Sequence, residues 1–114
     1  PASSAHIYFK KPIVNAKEGS TELTLKELTP VRLLKNKFYD DIQSAYANQA
    51  SLEDLKALLG RARAKKGMFE GDMNQGELEI GQVSSAIHEI KPAQEIVEEI
   101  MEDFHKTISK LQSI

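Results

Sequence analysis

The chain has 114 residues, with 15 Lys and Arg, 17 Asp and Glu, and a formal net charge of -2. This length fits one small domain, and the charge excludes a globally basic surface of the kind that attracts nucleic acid or anionic lipid. The absence of cysteine excludes disulfides, thiolate metal sites and a cysteine nucleophile. Because neither a signal peptide nor an 18-residue apolar span is present, we expect a cytoplasmic protein without a membrane partner. The first residue is Pro1 rather than Met, which suggests a processed product or a piece of a longer chain.

The first part of the chain predicts a helix followed by a two-stranded ribbon. Residues 7–17 have rough helical spacing and end at Gly19, although Pro12 disfavours a helix interior. The alternation over residues 21–25 predicts a short half-buried strand, and residues 31–34 predict its partner. Two strands alone are marginal, so we expect helices to pack on them.

Two helices are predicted in the middle of the chain. Residues 38–48 have helical apolar spacing. Ser51 is the expected N-cap of the next helix, with Asp54 as a shorter substitute for the usual capping-box glutamate. Gly60 is its expected C-cap. The predicted buried face of that helix comprises Leu52, Leu55, Leu58 and Leu59.

Residues 67–81 hold four of the six glycines and predict a long loop. Loops of this length inside compact domains are more often functional or disordered than idle. Residues 83–90 predict a short helix that ends before Pro92. A final amphipathic helix follows, with acidic residues opposite its apolar face, and we expect that face to dock on another surface. The apolar residues are Ile96, Val97, Ile100, Met101, Phe104, Ile108 and Leu111.

The residues that could do chemistry have ordinary structural explanations. His6, His88 and His105 lie far apart, and no cluster has the spacing of metal ligands. No metal site is therefore predicted. The acidic side chains of the last helix follow a polar helix face, and nothing in their pattern argues for desolvation or a raised pKa. These are Glu95, Glu98, Glu99 and Glu102.

Four cations occur within six residues, namely Arg61, Arg63, Lys65 and Lys66. Such a group could hold a phosphate or attract an acidic protein partner. The alternative is a solvated helix face balanced by the acidic C-terminal helix, and we favour that interpretation.

The segment from Gly71 to Ser85 runs from the glycine-rich loop into a helix whose first turn carries Gln82, Ser84 and Ser85. Free backbone N–H groups there, with an amide and two hydroxyls, can bind a carbonyl, a flavin edge or a phosphate. Neither a dinucleotide fingerprint nor a phosphate-loop spacing occurs. A structural loop with an ordinary N-cap is equally consistent with the sequence.

The run from Gly67 to Ile87, followed by Ile90-Lys-Pro92, resembles the C-terminal part of a known family. This is the flavin-dependent enoyl-acyl carrier protein reductase II and nitronate monooxygenase (2-nitropropane dioxygenase) family. The opening Ser3-Ser-Ala-His6 and the stretch over residues 30–38 match it in the same order. The resemblance covers nearly the whole chain.

The resemblance implies that the chain is α+β, mostly helical with a short two-stranded ribbon, and a fragment of a flavin-binding (β/α)8 barrel with an inserted cap domain. It assigns residues 1–7 to the barrel-to-cap junction and residues 8–70 to the cap. Residues 71–114 then form the glycine-rich active-site loop and the C-terminal barrel helices. The family's catalytic histidine lies upstream, so no catalytic residue is expected in this segment.

The resemblance also implies site residues. Glu79, Ile80, Gly81 and Gln82 match the family's loop near the flavin and substrate, with Ser84 beside them. They would line the cofactor or substrate, although the family often has a small residue and then glycine where Ser84-Ser85-Ala86 stands here.

By the same resemblance, the parent protein is an FMN-dependent oxidoreductase that takes hydride from NAD(P)H and reduces enoyl-acyl carrier protein in fatty-acid synthesis. FMN and NAD(P)H would be bound mainly by parts of the parent outside these residues, so the piece alone is expected to be inactive. The four cations would attract the acidic carrier protein or a nucleotide phosphate. One alternative is nitronate oxidation by the same flavin; the other is an inactive helical fragment that self-associates, for example as a homodimer.

Overall fold

The computed structural model describes residues 3–114, so the first two residues of the predicted barrel-to-cap junction lie outside it. One compact unit comprises residues 5–88, and a second comprises residues 89–114 with Ser3 and Ser4. The elements in chain order are α1 (Ile7–Val14), β1 (Thr21–Thr24), β2 (Val31–Leu34), α2 (Lys37–Ala47), α3 (Leu52–Leu59), α4 (Arg63–Met68), a 3-10 helix (Gln82–Ala86) and α5 (Ala93–Gln112). The prediction of a mostly helical chain with a two-stranded ribbon is confirmed.

Strand β2 is hydrogen-bonded along both of its edges. It pairs antiparallel with β1, with Thr21 opposite Leu34 and Thr24 opposite Val31. On the other edge, the Leu34 N–H donates to the Leu78 carbonyl at 3.0 Å, and the Ile80 N–H donates to the Arg32 carbonyl at 3.2 Å. Residues 78–80 therefore form a short third segment against the ribbon. The sequence predicted these residues as loop.

The ribbon separates two apolar clusters. Adjacent side chains of a strand point to opposite faces, so Leu33 and Leu34 belong to different clusters. The first cluster lies under α2 and α3 and contains Leu25, Leu33, Phe38, Ile42 and Leu55. The second contains Phe9, Ala16, Leu34 and Leu78, with Ile80 packed against it. Both faces of the ribbon are thus covered, which supplies the packing that a two-stranded ribbon needs.

Local capping signals explain several helix ends. The Asp54 N–H donates to Ser51 Oγ and the Ser51 N–H donates to Asp54 Oδ2, each at 3.1 Å, which confirms the predicted capping box. Gly60 ends α3 with a φ of 61°. Helix α1 stops at Val14 rather than at residue 17, and it contains Pro12.

Two predicted elements differ in the structure. The predicted loop over residues 67–81 begins inside α4, because Gly67 is a buried helical residue. The predicted α-helix over residues 83–90 is a five-residue 3-10 helix, followed by residues without helical structure. Val83 is 76% exposed and Ile87 44% exposed, so the apolar spacing there does not form a buried helix face.

The side chains of Arg63 and Asn36 hold the segment between α4 and residue 78 in place through hydrogen bonds. Arg63 donates from Nε to the Leu59 carbonyl at 2.7 Å, and its terminal nitrogens donate to the carbonyls of Leu58 and Gln75 at 2.8 and 2.9 Å. Its guanidinium also lies over the Phe38 ring, 4.3 Å from the centroid. Asn36 caps α2, and its Nδ2 donates to the carbonyls at positions 73 and 76, at 3.0 and 2.8 Å.

Helix α5 confirms the predicted amphipathic C-terminal helix. Its 20 residues include no buried side chain within the described chain. Exposed apolar residues follow one another at spacings of three and four, including Phe104 at 52% and Leu111 at 64% exposure. On the polar side, Lys106 lies 2.8 Å from Glu102.

A test of the close approach at Gly76 compares two glycine variants. In Gly76→Ala the new Cβ would collide with backbone atoms of Asp72 and Gly67, which cannot swing away. We expect a loss of at least about 2 kcal/mol of unfolding free energy in urea titrations. Gly81→Ala is the control, because its Cβ would meet nothing within 4 Å. Equal stability of both variants would contradict this packing.

A second test concerns Arg63. We expect Arg63→Met to lower the free energy of unfolding by about 2–4 kcal/mol, because three carbonyls lose a charged donor. Arg61→Met removes an exposed cation two positions earlier and should change stability by less than about 0.5 kcal/mol. Matching losses in the two variants would show that the guanidinium bonds carry no specific stabilisation.

Candidate functional site

The residues Glu79, Ile80, Gly81 and Gln82, here called the site strip, lead from the edge of β2 into the 3-10 helix. Glu79 forms a bridge with Leu33, and the Ile80 N–H bonds to Arg32. Glu79, Gly81 and Gln82 are exposed, whereas Ile80 is half-buried. The pairing with β2 therefore anchors the strip on one side and leaves alternate side chains accessible.

The backbone at Gly81 is open to ligands. A Cβ added there would meet nothing within 4 Å. Within residues 3–114, the N–H groups of Gly81, Gln82 and Val83 donate no backbone hydrogen bond. These open donors are consistent with the sequence interpretation that this turn can bind an acceptor group.

Ser84 follows the site strip in the chain and is buried, whereas the residues of the strip are exposed or half-buried. It is 7% exposed, and its N–H donates to the Gly81 carbonyl at 3.2 Å. Among the described residues, no buried side-chain nitrogen or oxygen lacks a hydrogen-bond partner. The neighbouring Ser85 Oγ donates to the Gln82 carbonyl at 3.1 Å.

A polar cleft, here called the turn cleft, joins the 3-10 helix to the turn between α1 and β1. Its volume is about 320 Å³, and it is lined by Lys17, Glu18, Gly19, Thr21, Gln82, Ser84 and Ser85. The sequence singled out Gln82, Ser84 and Ser85 but missed the contribution of residues 17–21. The only local signal was the predicted turn at Gly19, and a turn by itself does not indicate which distant segment it faces.

Hydrogen bonds fix the α1–β1 wall of the turn cleft. The Lys17 N–H donates to Ser20 Oγ at 2.8 Å, the Ser20 N–H donates to the Lys17 carbonyl at 3.0 Å, and Gly19 has a φ of 81°. Beneath the turn, a terminal nitrogen of Arg32 donates to the carbonyl and the Oγ1 of Thr21, at 3.2 and 3.3 Å. Hydrogen bonds therefore fix this wall, which carries Lys17 and Glu18, while Arg32 bonds to Thr21 without lining the cleft.

Beside the site strip, Glu77 has an unusual environment. Burial raises the pKa of its carboxyl, and the charge and hydrogen bond of Glu79 raise it further, while Arg63 opposes the change.

The four predicted cations do not behave as one group. Arg63 is half-buried and bonded to backbone carbonyls, so it is not available to an anion. Arg61, Lys65 and Lys66 are exposed, and Lys65 lies 3.9 Å from Glu70. None of the four lines the turn cleft.

The histidines show no shared site in the structure. His6 caps α1 by accepting the Tyr8 N–H at Nδ1, and a Cβ at Gly71 would lie 2.5 Å from that nitrogen. Among residues 3–114, no group of His, Asp and Glu is arranged to hold a metal ion. In the same range, no helix has the length and apolar character needed to cross a bilayer.

Known proteins resemble this chain in sequence and in structure. Residues 2–103 match a family model described as nitronate monooxygenase. A structure of FabK from Thermotoga maritima superposes with a TM-score of 0.82 at 29% identity, covering 96% of this chain and 34% of that chain. A mutant of the same FabK gives 0.76 at 30% identity, covering 97% and 32%. No curated protein sequence matches the chain.

The chain thus spans about a third of the length of the FabK structures it matches. The family match extends over most of its length, from residue 2 to residue 103, and includes both the site strip and the turn cleft. The chain therefore belongs to the nitronate monooxygenase family.

Proposed function

We propose that these residues are the C-terminal part of an FMN-dependent oxidoreductase that uses NAD(P)H to reduce the double bond of enoyl-acyl carrier protein. The observation that carries the proposal is the structural similarity to FabK, with a TM-score of 0.82 over 96% of the chain. The family resemblance of the glycine-rich segment associates this architecture with enoyl-acyl carrier protein reductase II.

FMN, when bound, supplies the hydride chemistry, and the protein's contribution is binding and orientation. The site strip fits one wall of such a site, because Gly81 leaves open space and neighbouring N–H groups are unbonded. The pairing of the site strip with β2 would hold that wall in a fixed position relative to the ribbon. Glu79 and Gln82, both exposed, would face the cofactor or substrate.

The domain assignment is part of the proposal. Residues 8–70 would form the cap, and residues 71–114 would return to the barrel of the full-length enzyme. The apolar face of α5 supports this assignment, since an exposed stripe of this length usually marks an interaction surface. In a barrel enzyme, such a stripe would pack against the barrel wall.

Three exposed cations have a proposed role in substrate attraction. Arg61, Lys65 and Lys66 would attract an acidic carrier protein or a nucleotide phosphate, mainly by accelerating encounter. Arg63 is left out of this role, because its donors are used within the chain.

A second candidate function is nitronate oxidation, which the description of the matching family model favours. It would use the same flavin and the same strip but would need no NAD(P)H. A third possibility, an inactive fragment that self-associates, would use the apolar face of α5 as a contact between copies.

The functional proposal predicts the properties of the full-length protein that contains these residues. It should be yellow, show the visible absorbance of oxidised flavin, and consume NAD(P)H only when an enoyl thioester is present. The 114-residue chain, purified alone, is the control and should be colourless. Oxidation of an alkyl nitronate without NAD(P)H consumption would reject the reductase in favour of the second candidate.

A side chain added to the site strip is expected to lower the activity of the enzyme without lowering its stability. In the full-length enzyme, Gly81→Val would place a side chain into the open space beside the strip. We expect kcat/KM for the enoyl thioester to fall at least about tenfold, because small displacements of reacting groups are costly. Ala47→Val, at an exposed position of α2, is the control. Unchanged kinetics in Gly81→Val would remove the strip from the active site.

A further inference from the structure

Strand β1 has an open edge on the side away from β2. Within residues 3–114, β1 pairs only with β2, whereas β2 is hydrogen-bonded along both of its edges. The two middle residues of β1, Glu22 and Leu23, are exposed, and the apolar Leu23 side chain is 41% exposed. An open strand edge presents backbone N–H and C=O groups to which a further strand can bond. This edge is therefore an interaction surface in search of a partner.

A groove, here called the β1 groove, runs between the open edge and one face of α2. Its volume is about 240 Å³. Tyr39, Gln43 and Tyr46 follow one another at spacings of four and three, so they lie on one face of the helix. They form the α2 wall of the groove, and Glu22, Leu23 and Thr24 form the β1 wall.

Hydrogen bonds hold the walls of the β1 groove in place. Gln43 Nε2 donates to Thr24 Oγ1 at 3.3 Å, and the Tyr46 hydroxyl donates to Glu27 Oε2 at 2.7 Å. Burial raises the pKa of the Tyr39 and Tyr46 hydroxyls, so both keep their protons at neutral pH. The groove is therefore formed in advance, and its walls suit polar side chains.

The two faces of β1 differ in chemistry. Glu22 lies opposite Leu33, and Thr24 lies opposite Val31. Since opposite residues share a face and both partners belong to the first apolar cluster, Glu22 and Thr24 lie on the α2 side. Leu23 lies on the other face. A strand that fits this edge needs polar side chains toward the groove and an apolar one beside Leu23, and β1 itself has this alternation.

Symmetry determines how two copies of β1 could pair. Antiparallel pairing about a two-fold axis requires one residue to lie opposite its own copy. Thr21 and Thr24 are buried, which leaves Glu22 and Leu23. Two opposed Glu22 carboxylates would repel each other, whereas two opposed Leu23 side chains form an apolar contact. The Leu23 register also places each Glu22 opposite the Thr24 hydroxyl of the second copy, and Lys35, 3.6 Å from Glu22, balances its charge.

We propose that the open edge of β1 binds a second copy of this chain, with Leu23 on the two-fold axis. The two ribbons then form one antiparallel sheet in the order β2-β1-β1-β2. In that sheet the two site strips lie at opposite ends, because residues 78–80 pair with the outer edge of β2 in each copy. The interface is independent of the proposed function and of the apolar face of α5. Since each β1 has only four residues, the dimer dissociates on dilution.

The first test is the oligomeric state of the full-length protein, measured by analytical ultracentrifugation over a range of concentrations. Leu23→Lys should raise the dimer dissociation constant at least about tenfold, because two ammonium groups would meet at the axis. Leu52→Lys is the matched control, since it makes the same change at a leucine of α3 that is 45% exposed and lies outside the β1 groove. It should dimerise as the unmodified protein does. Thermal unfolding midpoints identify any loss caused by misfolding.

The second test examines the register directly. Residues opposite each other in antiparallel strands have Cα atoms about 4.5–5.5 Å apart, which is within the range of a disulfide. Leu23→Cys should therefore form a covalent dimer under mild oxidation, visible on non-reducing gels. Leu52→Cys should not, and the 114 residues contribute no other cysteine to either variant. Any cysteine elsewhere in the full-length protein is common to both variants.

The outcomes either support the proposal or overturn it. A dimer that Leu23→Lys weakens and Leu23→Cys links covalently supports it. A full-length protein that is monomeric at every concentration overturns it, as does a dimer that both Lys variants leave intact. A dimer that Leu23→Lys weakens but Leu23→Cys does not link overturns the two-fold register. None of these results depends on enoyl reductase activity, so the proposed function stands or fails separately.

Discussion

The hydrogen bonding of β2 on both edges is the constraint on which the rest of the 5–88 unit depends. β1 occupies one edge and residues 78–80 occupy the other. Since Leu33 and Leu34 point to opposite faces, the same strand also joins the two apolar clusters. A shift of β2 by one residue would exchange these faces and expose both clusters. The site strip is therefore positioned by the same register that holds the core together.

The glycine-rich segment is ordered because other elements satisfy its backbone. Asn36 bonds to carbonyls of this segment from the start of α2, and Arg63 does so from α4. Gly67 and Gly76 allow two backbones to approach more closely than any side chain would permit. A segment held in this way can present the N–H groups at Gly81 in one arrangement, which is what a binding wall requires.

Helix α5 has a different source of stability. Its i,i+4 ion pair and its length support a helix, but its apolar face is exposed except at the half-buried Ile96. A helix of this kind gains most of its stability from packing on another surface. The chain spans about a third of the FabK structures it matches, and the remaining part of a FabK-like enzyme is the surface that we propose for it. The family assignment and the unpaired face of α5 therefore have one common explanation.

Local features of the sequence determined much of the secondary structure. The capping box of Ser51, the alternation in the ribbon and the apolar spacing of α5 each depend on residues within a few positions, so they could be predicted directly. The resemblance of the glycine-rich segment also predicted the family that the comparison confirms.

Only the tertiary structure decided the remaining features, because each depends on groups that are distant in the chain. Three of these features leave no periodic pattern in the sequence: the pairing of residues 78–80 with β2, the internal bonds of Arg63, and the cleft shared by residues 17–21 and 82–85. Arg63 is the clearest example. From its charge alone, it is predicted to be an exposed surface cation like Arg61. Burial and hydrogen bonding give these two arginines different roles, and both properties are set by the fold rather than by neighbouring residues.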